Sequence, residues 1–147
     1  MSEFKFNFKM GWKKSKNYER DMKYTIPPNK IILPTFVDLK NKIRQVFCQS
    51  HNDCVANGTS NLISSISENK LNYTPSRLFL YYNARLLEGN SAELLDEGTT
   101  IRDSMKAIAK FNFVDENEYG YNDKFVLRPP PNEIYKSKSK PLFYSIL

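Results

Sequence analysis

A mainly α-helical layer approached by an extended N-terminal arm is the fold class this sequence predicts, on three observations. Apolar residues recur at three- and four-residue intervals in three stretches between residues 54 and 111. Each stretch opens on a residue type that caps helices. The first forty or so residues lack that periodicity and close on Ile26-Pro27-Pro28-Asn29-Lys30-Ile31-Ile32-Leu33-Pro34.

The arm comes first, at residues 1–45. Its opening, Met1-Ser2-Glu3-Phe4-Lys5, alternates charge with aromatics instead of building the apolar core of a signal peptide. Its prolines push the residues before them out of the helical region, so the run 26–34 is expected to be extended. The first helix is expected from Cys54 to about Leu71, with Val55, Thr59, Leu62, Ile63 and Ile66 on one face and Asp53 as N-cap. Thr74-Pro75 announces a second helix, cap then first-turn proline, carrying Leu78, Phe79, Tyr82 and Leu86 on one face and stopping at Gly89. The third opens at Thr99 or Thr100, where Thr100 and Asp103 stand at capping-box spacing, and buries Ile101, Met105, Ile108 and Ala109 before Asn112 ends it. An acidic, aromatic loop from Asp115 to Asp123 follows. A segment from 129 to 147 begins in Pro129-Pro130-Pro131, becomes charged and ends in the apolar, strand-like run 142–147. Such an end calls for a partner surface, so a protein partner is expected there.

Composition excludes several classes. The chain has 147 residues, 40% of them hydrophobic and 14% aromatic, enough for a real core. No apolar run approaches the length of a membrane span. Two cysteines and one histidine make neither a disulfide framework nor a four-ligand zinc site, so no metal and no cofactor are expected, and a reducing, intracellular setting is. The net charge of +6 sits at the ends: residues 1–24 and 124–147 each carry +4, the middle −2. Lys136, Lys138 and Lys140 alternate with serines and lack an aromatic stacking platform, so nucleic-acid binding is not expected.

One constellation suggests nucleophilic chemistry: Gln49-Ser50-His51-Asn52-Asp53-Cys54-Val55-Ala56-Asn57. A thiol in a helix's first turn feels unpaired backbone N–H groups and the positive end of the dipole, which favours thiolate. A glutamine amide just upstream could donate to the oxyanion of a tetrahedral intermediate together with the cysteine's own N–H. The plain alternative is a buried cysteine that merely starts a core helix.

From end to end the chain resembles the papain-like cysteine peptidases, in particular the single-chain branch of bacteria and large DNA viruses. The resemblance rests on Gly11-Trp12 with Glu19-Arg20-Asp21 and Tyr24, on Leu33-Pro34 with Val37-Asp38-Leu39, and on Val46-Phe47-Cys48-Gln49 before Cys54-Val55-Ala56-Asn57. It is most distinctive in Pro75-Ser76-Arg77-Leu78-Phe79-Leu80-Tyr81-Tyr82-Asn83-Ala84-Arg85, in Asp96-Glu97-Gly98-Thr99-Thr100-Ile101-Arg102-Asp103 and in Tyr119-Gly120-Tyr121. It implies that residues 46–128 form the helical left lobe of a papain-like α+β fold, with Cys54 in the nucleophile position and Gln49 in the oxyanion-hole position. It further implies a peptide substrate bound as an added strand along Glu97, Gly98 and Thr99.

The resemblance also implies a β-rich second lobe supplying a histidine and an asparagine, about 130 to 150 residues beyond the cysteine, whereas this sequence continues only from 55 to 147 and holds no histidine after Cys54. His51 is expected to be a solvated loop residue, and Arg77, Arg85 and Arg102 surface or helix-pairing charges. One residue fewer than usual separates Gln49 from Cys54, a displacement of up to about 3.4 Å. Asn52 and Asp53 replace the family's glycine and serine, and a carboxylate beside a thiol opposes thiolate formation. Glu97 replaces one glycine of the family's substrate-binding pair. Two readings follow. One is a catalytically inactive homologue serving as a structural or interaction protein; the richness in Lys, Asn, Ile and Tyr suits a large DNA virus and a virion component. The other is the N-terminal half of an active cysteine endopeptidase.

Overall fold

The computed structural model describes residues 11–19, 21, 34–67, 71–89 and 95–137. The fold is mostly helical, as expected for this lobe: α1 (Cys54–Ile66), α2 (Arg77–Leu87), α3 (Ile101–Phe111) and a short α4 (Asn132–Lys136). A two-stranded parallel sheet pairs β1 (Trp12–Lys13) with β2 (Thr99–Thr100), Trp12 opposite Thr99. The apolar run 142–147 and most of the proline-punctuated stretch lie outside the described residues.

Helix α2 is the centre of the molecule. Every residue from Arg77 to Arg85 is buried, so the single apolar face expected for it is corrected to burial on all sides, with Leu86 left 43% exposed. Leu78, Phe79, Leu80 and Tyr81 pack with Ala56 and Ile63 of α1, Ile108 of α3, and Phe113, Val114, Tyr119 and Val126 that follow. Phe79 meets Tyr119 edge-on at 6.5 Å and Tyr135 of α4 at 5.2 Å. Burying one such ring contributes about 1.5–3 kcal/mol. Tyr135 also donates to Asn83 Oδ1 at 2.9 Å, which ties α4 to the core.

Helix starts differ from expectation in an informative way. Ser76, not Thr74, caps α2: its hydroxyl accepts from Phe79 N at 3.2 Å and donates to Tyr119 O at 2.6 Å. Thr74 is occupied otherwise, its carbonyl taking Glu116 N while Pro75 bridges Asp115. Thr100 caps α3 as expected, accepting from Asp103 N and donating to Asp103 Oδ2 at 2.7 Å. Helix α1 ends at Ile66, short of Leu71, where Ser67 N and Oγ both turn back to Ile63 O.

The buried faces of α1 and α3 are more polar than their apolar patterns suggest. Thr59 Oγ1 and Ser104 Oγ meet at 3.0 Å between the two helices. That contact turns Asp103, Ser104, Ala107 and Ile108 inward and leaves Ile101, Met105 and Ala109 exposed, against expectation. On α1, Leu62 and Ile66 are likewise 47% and 43% exposed.

Candidate functional site

Three segments converge where α1 begins: the loop 47–53, the turn 96–99 and the strand β1. Cys54 is the first residue of α1 and half-buried. With Trp12, Val55, Gly58, Thr59, Leu62 and Ile101 it lines an apolar groove of about 320 Å³.

Gln49 does not face that groove with a free amide. Its Nε2 donates to the carbonyl of His51 at 2.7 Å, closing the shortened loop on itself. His51 is not the solvated loop residue expected. Its side chain is only 15% exposed, with Nε2 2.9 Å from Asp123 Oδ1 and Nδ1 3.9 Å from Asp96 Oδ2, and the Tyr121 ring lies 5.8 Å away. Both ring nitrogens of the chain's only histidine therefore face carboxylates.

Asp96 is the hub of this corner. Its carboxylate accepts from Tyr81 Oη at 2.5 Å and from Asn52 N, while its carbonyl accepts from Asn52 Nδ2 at 2.6 Å. Tyr81 Oη in turn accepts from Gly98 N at 2.9 Å. Burial first, and the bond to Asp96 second, push the Tyr81 phenol above its ordinary range. Asp53 is wholly buried, and neither carboxylate oxygen has a hydrogen-bond partner among the described residues. Burial raises its pKa; Tyr121, its own backbone, His51 and Asn57 act in the opposite direction and do not reverse it.

Arg77 and Arg85 are buried, so of the surface or helix-pairing roles expected the surface one does not hold, while Arg77 does link α2 to Asn57 of α1. The Arg77 guanidinium is sandwiched between Phe47 at 4.2 Å and Tyr121 at 3.7 Å and makes a forked pair with Glu116 at 2.9 and 2.7 Å. It also donates to Asn57 Oδ1 and to the Cys48 carbonyl, which fixes the loop carrying Gln49 to α1 and α2. Arg85 donates to the carbonyls of Leu95 and Val126 beneath the Asp96 turn. Arg102 pairs with Asp21 at 2.6 Å.

Glu97, Gly98 and Thr99 form the edge on which a substrate strand is expected, and here that edge is taken by the chain itself. Thr99 N donates to Gly11 O at 3.0 Å, and Lys13 reaches Glu88 at 3.3 Å and Glu97 at 3.9 Å. Gly98 has φ +84°, and a Cβ on it would stand 1.8 Å from Gly11 O; a Cβ on Gly11 would stand 1.7 Å from Asn52 O. Backbone thus lies on backbone from Asn52 through Gly11 to Gly98.

Among the described residues no group of three or more potential ligands could hold a metal ion, and no helix is long and apolar enough to cross a membrane. Sequence reasoning missed the two carboxylates around His51 and the stacking of Arg77. Asp96 stood inside a motif it had marked, and Asp123 closed the acidic, aromatic loop it had noted, but nothing in their spacing pointed to His51.

No protein-family profile matches the chain. It is 43% identical over 63 residues to an uncharacterized peptidase C1-like protein of Acanthamoeba polyphaga mimivirus, a match covering 42% of this chain and 20% of that protein. The structure is similar to that of xylellain, a cysteine protease from Xylella fastidiosa, with a TM-score of 0.53 at 28% identity over 59% of this chain and 38% of that one. The chain spans about a fifth of the mimivirus protein's length and under two-fifths of xylellain's.

Proposed function

Because the helical lobe of this chain is related to the papain-like cysteine peptidases, we propose that the chain is a homologue that does not hydrolyse peptides by itself and acts as a structural or interaction protein. One observation carries this reading: the histidine of this lobe, His51, has Nε2 hydrogen-bonded to Asp123 and Nδ1 on the side of Asp96, and among the described residues no hydrogen bond joins it to Cys54, whose proton it would have to take and pass to a leaving amine. Three features around the start of α1 support it. Gln49 spends its amide on the His51 carbonyl, the buried Asp53 carboxyl belongs to the residue before Cys54, and β1 pairs along Thr99 and Thr100. The mimivirus origin of the relative supports a home inside infected cells or in a virus particle.

The experiment is hydrolysis of fluorogenic peptides by the purified chain, with Cys54→Ser as control, alongside alkylation of Cys54 by iodoacetamide. The expected result is no turnover above the Cys54→Ser background, and labelling no faster than that of N-acetylcysteine at the same pH. Turnover, or labelling roughly tenfold faster than the free thiol, overturns the reading.

The alternative is that the lobe contributes Cys54 and Gln49 to an active peptidase whose histidine lies elsewhere. The much greater length of both similar proteins favours it. Turnover that appears only when a histidine-bearing second lobe is added would establish it.

A further inference from the structure

We infer that residues 34–46 form a peripheral anchor that docks on the surface of an anionic lipid bilayer. Every residue of this stretch is exposed. Five of them are large and apolar: Phe36 is 77% exposed, Val46 88%, and Val37, Leu39 and Ile43 between 50% and 62%. Single exposed apolar side chains are ordinary on a protein surface, whereas a run of them in one short segment marks a surface that binds. The segment is held without being covered. Ser65 Oγ of α1 donates to the Lys42 carbonyl at 3.0 Å, and the Arg77 guanidinium grips the residues that follow through the Phe47 ring and the Cys48 carbonyl. These contacts use main chain and Phe47, and leave the five apolar side chains to project into solvent.

Charge selects the occupant. Among the apolar residues stand Lys40, Lys42 and Arg44, against one acid, Asp38. Asp38 turns back on the segment: its Oδ1 accepts from Lys40 N at 2.8 Å and its Oδ2 lies 3.8 Å from Lys40 Nζ. The Lys40 side chain is itself 89% exposed. The core of a protein–protein interface is depleted of charge, which is pushed to the rim. Here cations and apolar residues alternate within a few positions of one another, and that is the pattern a lipid interface takes. Apolar groups enter the acyl boundary, while the stems of Lys and Arg lie along them and keep the charge among the headgroup phosphates. Anionic headgroups add an attraction worth about fivefold in affinity per cation. Such docking needs no membrane-spanning helix, and it does not depend on whether Cys54 reacts.

The test is co-sedimentation of the full chain with vesicles of equal parts phosphatidylserine and phosphatidylcholine, and with vesicles of phosphatidylcholine alone. Binding is expected on the anionic vesicles only, and it should weaken as salt is raised. F36S/V46S removes two apolar side chains without changing the charge and should lower the affinity about tenfold or more, since burying one such side chain is worth that factor. K40S/R44S should lower it roughly twentyfold. K124S/K136S takes the same charge from the basic C-terminal end, where both lysines are exposed, and should leave the affinity nearly unchanged. Circular dichroism should show the helices intact in all three, because none of these residues belongs to the core. Absence of binding to the anionic vesicles overturns the inference. Full binding by F36S/V46S overturns it as well, by reducing the attraction to electrostatic adsorption, and so does an equal loss in K124S/K136S, by assigning it to net charge. A wild-type chain that ignores vesicles and sediments as an oligomer that F36S/V46S dissolves also overturns it, because the segment is then a protein interface.

Discussion

Asp53 shows how one residue can be placed correctly and read wrongly. Its position before α1 is what the sequence predicts, yet its backbone, at φ −104° and ψ 22°, lies outside the extended region that aims a capping side chain at the first helical N–H groups, and it makes no cap hydrogen bond. Ser76 and Thr100, at ψ 116° and 153°, do cap. The buried Asp53 carboxyl binds its proton more tightly in the folded than in the unfolded chain, where it titrates near 3.9. From about pH 3.9 upward to its raised folded value, stability therefore falls as pH rises, and the full cost is present above that. Asp53→Asn is expected to stabilise the chain by about 1–2 kcal/mol at pH 7. In urea denaturation that gain should shrink toward nothing below about pH 4.

At the scale of elements, the existence and order of α1, α2 and α3 were legible because the 3.6-residue period is strong and local. Their facing was not. A period says which residues are on one side, but the Thr59–Ser104 hydroxyl pair turns α3 so that Ile101 and Met105 look outward. Polar pairs of this kind leave no trace in a hydrophobic pattern. Ser76 belongs to the same class of hidden contacts, since one fully buried hydroxyl serves both α2 and the Tyr119 carbonyl. Ser76→Ala is expected to cost about 2 kcal/mol, the loss of a cap plus an unmet buried acceptor. Thr100→Ala should cost about 1 kcal/mol, and parallel denaturation curves compare the two.

For the molecule as a whole, the site is made by contacts between distant parts of the chain: His51 with Asp123, Asn52 with Asp96, Gly11 with Thr99. Family resemblance pointed to Gln49, Cys54 and Gly98, because motifs are local. It could not show that β1 would lie on β2, which takes tertiary folding to bring about. Gly98→Ala tests that pairing: a methyl at φ +84° costs about 1–2 kcal/mol and collides with Gly11 O. Hydrogen exchange at the Thr99 amide is expected to accelerate, while amides in the middle of α2 keep their protection. Unchanged exchange at Thr99 would show that the strand tolerates the methyl. The close stacking of Asn52, Gly11 and Gly98 has a consequence for the residues that stand there. With the Asn52 carbonyl oxygen closing on Gly11 from one side and Gly98 packed against it from the other, there is room for a hydrogen and nothing larger. Any side chain at position 11 or 98 has to push the two backbones apart before β1 can reach β2.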